Sequence, residues 1–137
     1  MSARDQAHAA YLRGMREFNR GERERALDFF DVAIAVDDSA EGWLGRGLVL
    51  TELGREDEAL AAFDRALRAR PGYARAWWHK GIVLEGSGRL DDALEAYDRA
   101  LGGDFDGDEI MRPVVARERA ELAVKVLSRR LGGAAGS

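Results

Sequence analysis

The chain has 137 residues, with 21 Lys and Arg against 25 Asp and Glu, and it contains no cysteine. That length is enough to bury a real core without staples. The missing thiols exclude disulfides, thiol chemistry, iron–sulfur clusters and most structural zinc sites. The mildly acidic balance, with charges alternating in sign along the chain, argues against a nucleic-acid surface, which relies on a basic excess to neutralise phosphates. No run approaches the roughly 20 apolar residues of a membrane helix. The start, Met1-Ser2-Ala3-Arg4-Asp5, lacks the apolar stretch of a secretory signal. The expectation is a cytoplasmic protein with neither nucleic acid nor membrane as partner.

Two prolines and abundant Ala, Leu, Arg and Glu favour helix over sheet. Arginine outnumbers lysine nineteen to two, which reads as compositional bias. In chain order, the pattern predicts helices at about 3–19, 23–36, 40–53, 56–69, 74–86 and 90–101. Gly21, Gly54 and Gly88 fall between the members of each pair, where a helix ends in a left-handed residue. A seventh helix is expected over 108–131. Pro113 confines its regular part to about Arg112 onward, and Val115, Leu122 and Val126 form an apolar stripe that Val114, Val124, Leu127 and Leu131 widen. The small, polar tail 132–137 is expected to be disordered.

Three segments repeat. Gly14, Gly47 and Gly81 are spaced by 33 and 34 residues, as are Ala26, Ala59 and Ala93, and as are Phe30, Phe63 and Tyr97. The small residues let two antiparallel helices approach closely, and the aromatics fill the space between pairs. A period of this length carried by independent markers signals a solenoid. The pattern resembles the tetratricopeptide repeat family. The second segment carries most of its marks as Trp43, Gly47, Gly54, Ala59, Phe63, Ala66 and Pro71. The third carries Trp77, Gly81, Gly88, Ala93, Tyr97 and Ala100, with Phe105 near the closing proline's place. The first is weaker, with Ala10 for the tryptophan and Asp38 for the proline. The resemblance implies one all-α domain over 1–131: a right-handed superhelical array of antiparallel pairs, with repeats at about 7–39, 40–73 and 74–106 and a capping helix at about 108–131.

The resemblance also implies that the first helix of each pair lines a concave ligand groove. Carried over by the three glycines, its apolar residues are Tyr11, Met15 and Phe18, then Leu44 and Leu48, then Trp78 and Ile82. His8, Glu41, Glu52, Arg75, His79 and Glu85 stand beside them. Trp77 occupies the family's packing place, so Trp78, about 100° round the helix, is expected to face the groove. Some relatives clamp a terminal carboxylate with a lysine–asparagine–lysine–arginine set. Most of those places here hold Tyr11, Met15, Gly45, Arg75 and His79, of which only Arg75 suits the task. An apolar groove suits an apolar or helical peptide segment. The alternative is that part of the stripe is core, or is covered by the terminal helix.

No constellation supports catalysis, a cofactor or a metal. The loop 104–109 spaces three aspartates as a calcium loop would, but Glu109 and Val115 stand where an EF-hand needs Gly and a bidentate Glu. His8 and His79 lack a second ligand at helical spacing. Arg13, Arg46 and Lys80 precede the packing glycines, Asp31, Asp64 and Asp98 follow the aromatics, and the two sets are expected to pair. The function expected is that of a bacterial-style adaptor or scaffold that binds a protein or peptide and is not an enzyme. The alternatives are a homo-oligomer, with the groove or terminal helix packing on another copy, and an accessory subunit of an enzyme.

Overall fold

The computed structural model describes residues 1–135, with side chains as far as residue 132. Among the described residues there are seven helices and no strand: α1 (Ala3–Asn19), α2 (Arg23–Asp37), α3 (Ala40–Glu52), α4 (Glu56–Ala69), α5 (Ala74–Gly86), α6 (Leu90–Leu101) and α7 (Met111–Ala135). The first six lie within one residue of their expected ends. They fall into two compact units divided after Pro71, with α1 to α4 in the first and α5 to α7 in the second. In the first unit α1 packs on α2 and α3, α2 on α3, and α3 on α4; in the second, α6 packs on both α5 and α7.

The same closure ends the first helix of every pair. Gly21, Gly54 and Gly88 have φ of +82°, +75° and +83°. The next amide donates back across the turn at 2.9 Å each time: Glu22 N to the Glu17 carbonyl, Arg55 N to Leu50 and Arg89 N to Leu84. This is the six-to-one bond of a Schellman end, which satisfies a carbonyl the helix would leave orphaned. α2 ends differently. Asp38 takes the left-handed place (φ 44°) at its C-cap, and its carboxylate accepts a 2.8 Å bond from Trp43 Nε1. Ser39 then caps α3 by accepting from Gly42 N at 3.1 Å. The proline missing from the first repeat is thus replaced by a polar turn anchored to the next helix.

The aromatic rings of the second helices lie on the glycines of the first. A Cβ placed on Gly14 would stand 2.5 Å from the Phe30 ring, one on Gly47 2.4 Å from Phe63, and one on Gly81 2.6 Å from Tyr97. Phe30 meets a second glycine, Gly45 of α3, at 2.3 Å by the same measure. Ala26, Ala59, Ala93, Phe30 and Phe63 are completely buried and Tyr97 almost so. No space remains between ring and backbone.

α7 begins within one residue of the start that Pro113 set for its regular part, and runs past its expected far end. Residues 108–110 form a turn, and the helix begins at Met111, so that Pro113 falls within the first turn where its missing N–H costs nothing. At the far end it runs to Ala135. The tail expected to be disordered is therefore helical over 132–135, where an established helix gains a bond for each added residue. Residues 136 and 137 lie outside the described residues. Val115, Leu122 and Val126 are buried as expected, whereas Val114, Val124, Leu127 and Leu131 are exposed. The first turn also closes α6: the Arg112 guanidinium donates to the carbonyls of Leu101 and Gly103 and lies over the buried Phe105 ring.

One rung of the charge ladder forms as expected, and one aspartate takes a different basic partner. Arg46 of α3 donates to Asp31 of α2 at 2.8 Å, as expected. Asp98 of α6 is met by Arg119 of α7 at 2.9 Å, a residue outside the expected basic set. Arg13 places its guanidinium 4.8 Å from the centre of the Phe29 ring. Arg119 therefore does for α7 and α6 what Arg46 does for α3 and α2, and α7 occupies the place of a further first helix.

The ring-on-glycine contact predicts that Gly47→Ala destabilises the fold by about 1–3 kcal/mol through overpacking, and that adding Phe63→Leu recovers part of the loss. Urea unfolding of the two single variants and the double variant checks this through the sign of the coupling.

Candidate functional site

Within the first unit the expected groove residues separate into two sets. Tyr11 and Leu44 are 6% and 1% exposed, so both belong to the core and neither lines an open surface. Tyr11 packs in one cluster with Ala26, Phe30 and Val49, its ring 6.1 Å from that of Phe30. The physical reason is that a first helix packs on its own partner and also on its neighbours, leaving only a narrow edge. Met15 and Phe18 lie half-buried against the cluster, and Leu48 is half-buried too. Leu12, which sequence reasoning missed, is half exposed one turn before Met15. Across this edge His8 Nδ1 and Glu41 Oε1 are 3.1 Å apart, joining α1 to α3. Glu52 accepts from Arg23 Nε at 2.7 Å.

In the second unit the expected residues come together around α7. Trp78 is half-buried, and its Nε1 donates to Glu118 Oε2 at 2.6 Å. Arg75, one turn earlier, donates to Asp108 in the turn before α7 at 2.6 Å. His79 stacks at a tilt on Trp78, with ring centres 4.9 Å apart. Burial, helped by the nearby positive charge of Arg75, lowers the His79 pKa to about 4. This histidine is a neutral, packed ring rather than a plain surface one. Ile82 remains 37% exposed. Trp77 lies on the other side of α5 beneath Lys80 and Arg99, whose cationic groups stand 5.3 and 5.5 Å from its ring.

Between α5 and α7 lies a cleft of about 700 Å³ bordered by Ile82, Glu85, Glu118, Glu121, Leu122 and Lys125. Tyr97 of α6 also lines it, donating its hydroxyl to Glu85 Oε1 at 2.9 Å. Burial of this phenol, the hydrogen bond to Glu85 and the charges of Glu85 and Glu118 together hold its pKa above the usual tyrosine range. The sequence singled out Ile82 and Glu85 for the groove and Leu122 only for the apolar stripe of α7, because α7 follows a longer loop that breaks the repeat's register. Among the described residues no group of His, Cys, Asp or Glu is arranged to hold a metal ion. In the loop 104–109, Asp104 accepts from Asp106 N at 2.8 Å while Asp108 holds Arg75.

The profile described as Tetratricopeptide repeat matches residues 11–74 and again 44–109, most of the chain between them. The chain belongs to the tetratricopeptide repeat family. An uncharacterized protein of Methanocaldococcus jannaschii is 36% identical over 58 residues, 42% of this chain and 67% of that protein. Among solved structures, the TPR2B domain of yeast Sti1 in complex with pHsp70 is 26% identical with a TM-score of 0.74, over 90% of this chain and 98% of that one. The first TPR of Spaghetti (RPAP3), bound to an HSP90 peptide, has a TM-score of 0.78 over 93% of this chain and all of that one; at 17% identity it speaks to the fold alone. The fold is thus a seven-helix tetratricopeptide solenoid, and the family supports a protein-interaction module. No helix among the described residues is long and apolar enough to cross a membrane.

As a tetratricopeptide array, the chain has little with which to clamp a carboxylate. Arg75, the only suitable group at the clamp's places, is engaged by Asp108. His79 carries no charge near neutral pH.

Two outcomes follow. His79 should titrate by NMR with a midpoint about 4. An unfolded histidine protonates near pH 6.5, so the unfolded state binds more protons between those values. His79's contribution to stability should then fall as pH drops from about 6.5 to 4 and be constant above that window. Separately, Trp78→Phe keeps a ring but removes the donor to Glu118. Unfolding by urea should show a loss of about 1–2 kcal/mol, most of it absent when Glu118 is already Ala.

Proposed function

We propose that this chain is a non-enzymatic adaptor, a small bacterial-style cytoplasmic scaffold that holds an apolar or helical segment of another protein against the exposed edges of its first helices. The observation that carries this is apolar surface left uncovered where the cores are already filled. Leu12, Met15, Phe18 and Leu48 leave such surface in the first unit, and Trp78 and Ile82 in the second. An amphipathic segment has the complementary face. The Sti1 domain in complex with pHsp70 supports the class of ligand, while the occupied and missing clamp residues support a different chemistry of recognition. The cysteine-free composition supports the reducing compartment. The reading keeps the whole array, 1–131, as one repeat domain.

A second reading, self-assembly, is favoured by α7. Val124, Leu127 and Leu131 are 64%, 58% and 63% exposed at spacings of three and four residues, a stripe suited to another helix. Light scattering across a concentration series separates the two readings, since self-assembly raises the mass.

The test of the adaptor reading is affinity capture from the native host, followed by binding measurements on the captured partner's segment. Leu12→Glu and Ile82→Glu place charge on exposed positions that leave the helices intact. Each should weaken the affinity roughly thirtyfold, the scale of about 2 kcal/mol at an interface hot spot. Unchanged affinity in both variants, with circular dichroism also unchanged, would remove the edges from the binding surface.

A further inference from the structure

The cleft between α5 and α7 has a chemistry of its own within the second unit. Its volume of about 700 Å³ falls in the roughly 300–1,000 Å³ span of small-ligand sites. Its apolar lining is Ile82 on α5, Leu122 on α7 and the nearly buried Tyr97 ring. Its polar lining is three carboxylates, Glu85, Glu118 and Glu121, against the single ammonium of Lys125. Two of the carboxylates are fixed in place: Glu85 accepts from the Tyr97 hydroxyl at 2.9 Å and Glu118 from the Trp78 indole at 2.6 Å. Each bond uses one oxygen, and a carboxylate offers two, with about four lone-pair positions between them. The pair is thus held ready to accept further donors without reordering. The negative potential is registered at the Tyr97 hydroxyl, which the charges of Glu85 and Glu118 make harder to ionise.

We propose that this cleft receives an arginine or lysine side chain of the bound segment, its methylene stem lying along Ile82 and its cationic head between the carboxylates of Glu85, Glu118 and Glu121. A long cationic side chain needs both parts, an apolar wall for its stem and oxygen acceptors for its head. A guanidinium in particular can bond two carboxylate oxygens at once. Other occupants fit less well. A terminal or side-chain carboxylate would meet three like charges, and with Lys125 as the only cation in the lining the balance stays negative. A purely apolar side chain would remove those carboxylates from water without giving them a partner. The inference rests on the adaptor reading and adds to it the sign of charge that the partner carries.

The experiment is selection of displayed random peptides on the full chain, followed by calorimetry of the selected peptides and of their Arg/Lys→Gln counterparts. The selected peptides are expected to carry Arg or Lys, and replacement by Gln should weaken binding tenfold or more. Glu121→Lys, an exposed substitution on α7, should weaken the cationic peptide at least tenfold. Added salt should weaken it too, because the contact is partly exposed. The Trp78 indole N–H resonance, assigned with Trp78→Phe, should shift on binding. Selected peptides that are neutral or acidic, or that tolerate Glu121→Lys, would overturn the cationic site and leave the adaptor reading standing. Selection of no binding peptide would overturn both. Binding that leaves the Trp78 resonance unmoved would place the ligand elsewhere and overturn the site alone.

Discussion

Everything in this fold depends on an aromatic ring lying directly on the backbone of a helix. Phe30, Phe63 and Tyr97 can reach that position only because Gly14, Gly47 and Gly81 present no side chain, and any Cβ there would stand well inside contact distance. The contact sets how closely the two helices of a pair approach, and the alanines at 26, 59 and 93 hold the approach along the rest of the helix. Gly45 places a second bare backbone on Phe30, so that ring fixes α3 as well as α1. A small side chain on one helix and a large one on the other thus determine both the pairing and part of the stacking. In close-packed interiors of this kind a single added methyl is felt.

The same dependence explains why α7 does more than cover an apolar face. Its Arg119 meets Asp98 as Arg46 meets Asp31, which gives it the place of another first helix. Its Glu118 reaches the Trp78 indole, so the chain uses part of its own exposed edge to seat its last helix. What remains open beside that contact is the carboxylate-lined cleft, and its charge is a by-product of how α7 is seated. The open cleft and the end of the array are therefore made from the same residues.

The helices were legible because punctuation and period agreed. Gly21, Gly54 and Gly88 take the left-handed conformation their places required, and the repeated glycine, alanine and aromatic positions form the core. The expected concave surface was only partly legible. An alignment shows that Tyr11 and Leu44 lie on the face of a first helix but not that neighbouring helices close over them. Trp77 and Trp78 contact different neighbours, Trp77 lying under Lys80 and Trp78 donating to Glu118. That glutamate was invisible, because the loop before α7 is longer than the repeat allows and carries no register across. The helical residues 132–135 were missed for a related reason: composition weighed against helix, while a preceding helix of more than five turns weighed for it.

The separation along the chain of the residues that form the ring contacts bears on how quickly the fold assembles. Each aromatic and its glycine are about sixteen residues apart, and Phe30 and Gly45 about fifteen, so the decisive contacts close short loops and never wait for distant segments to meet. Contact order this low is associated with folding in microseconds to milliseconds. Because each pair carries its own ring, glycine and turn, a nucleus can form at any of the three and spread by one-dimensional growth. A chain emerging from the ribosome would therefore complete its first hairpin before its last helix has been made, with little apolar surface left waiting.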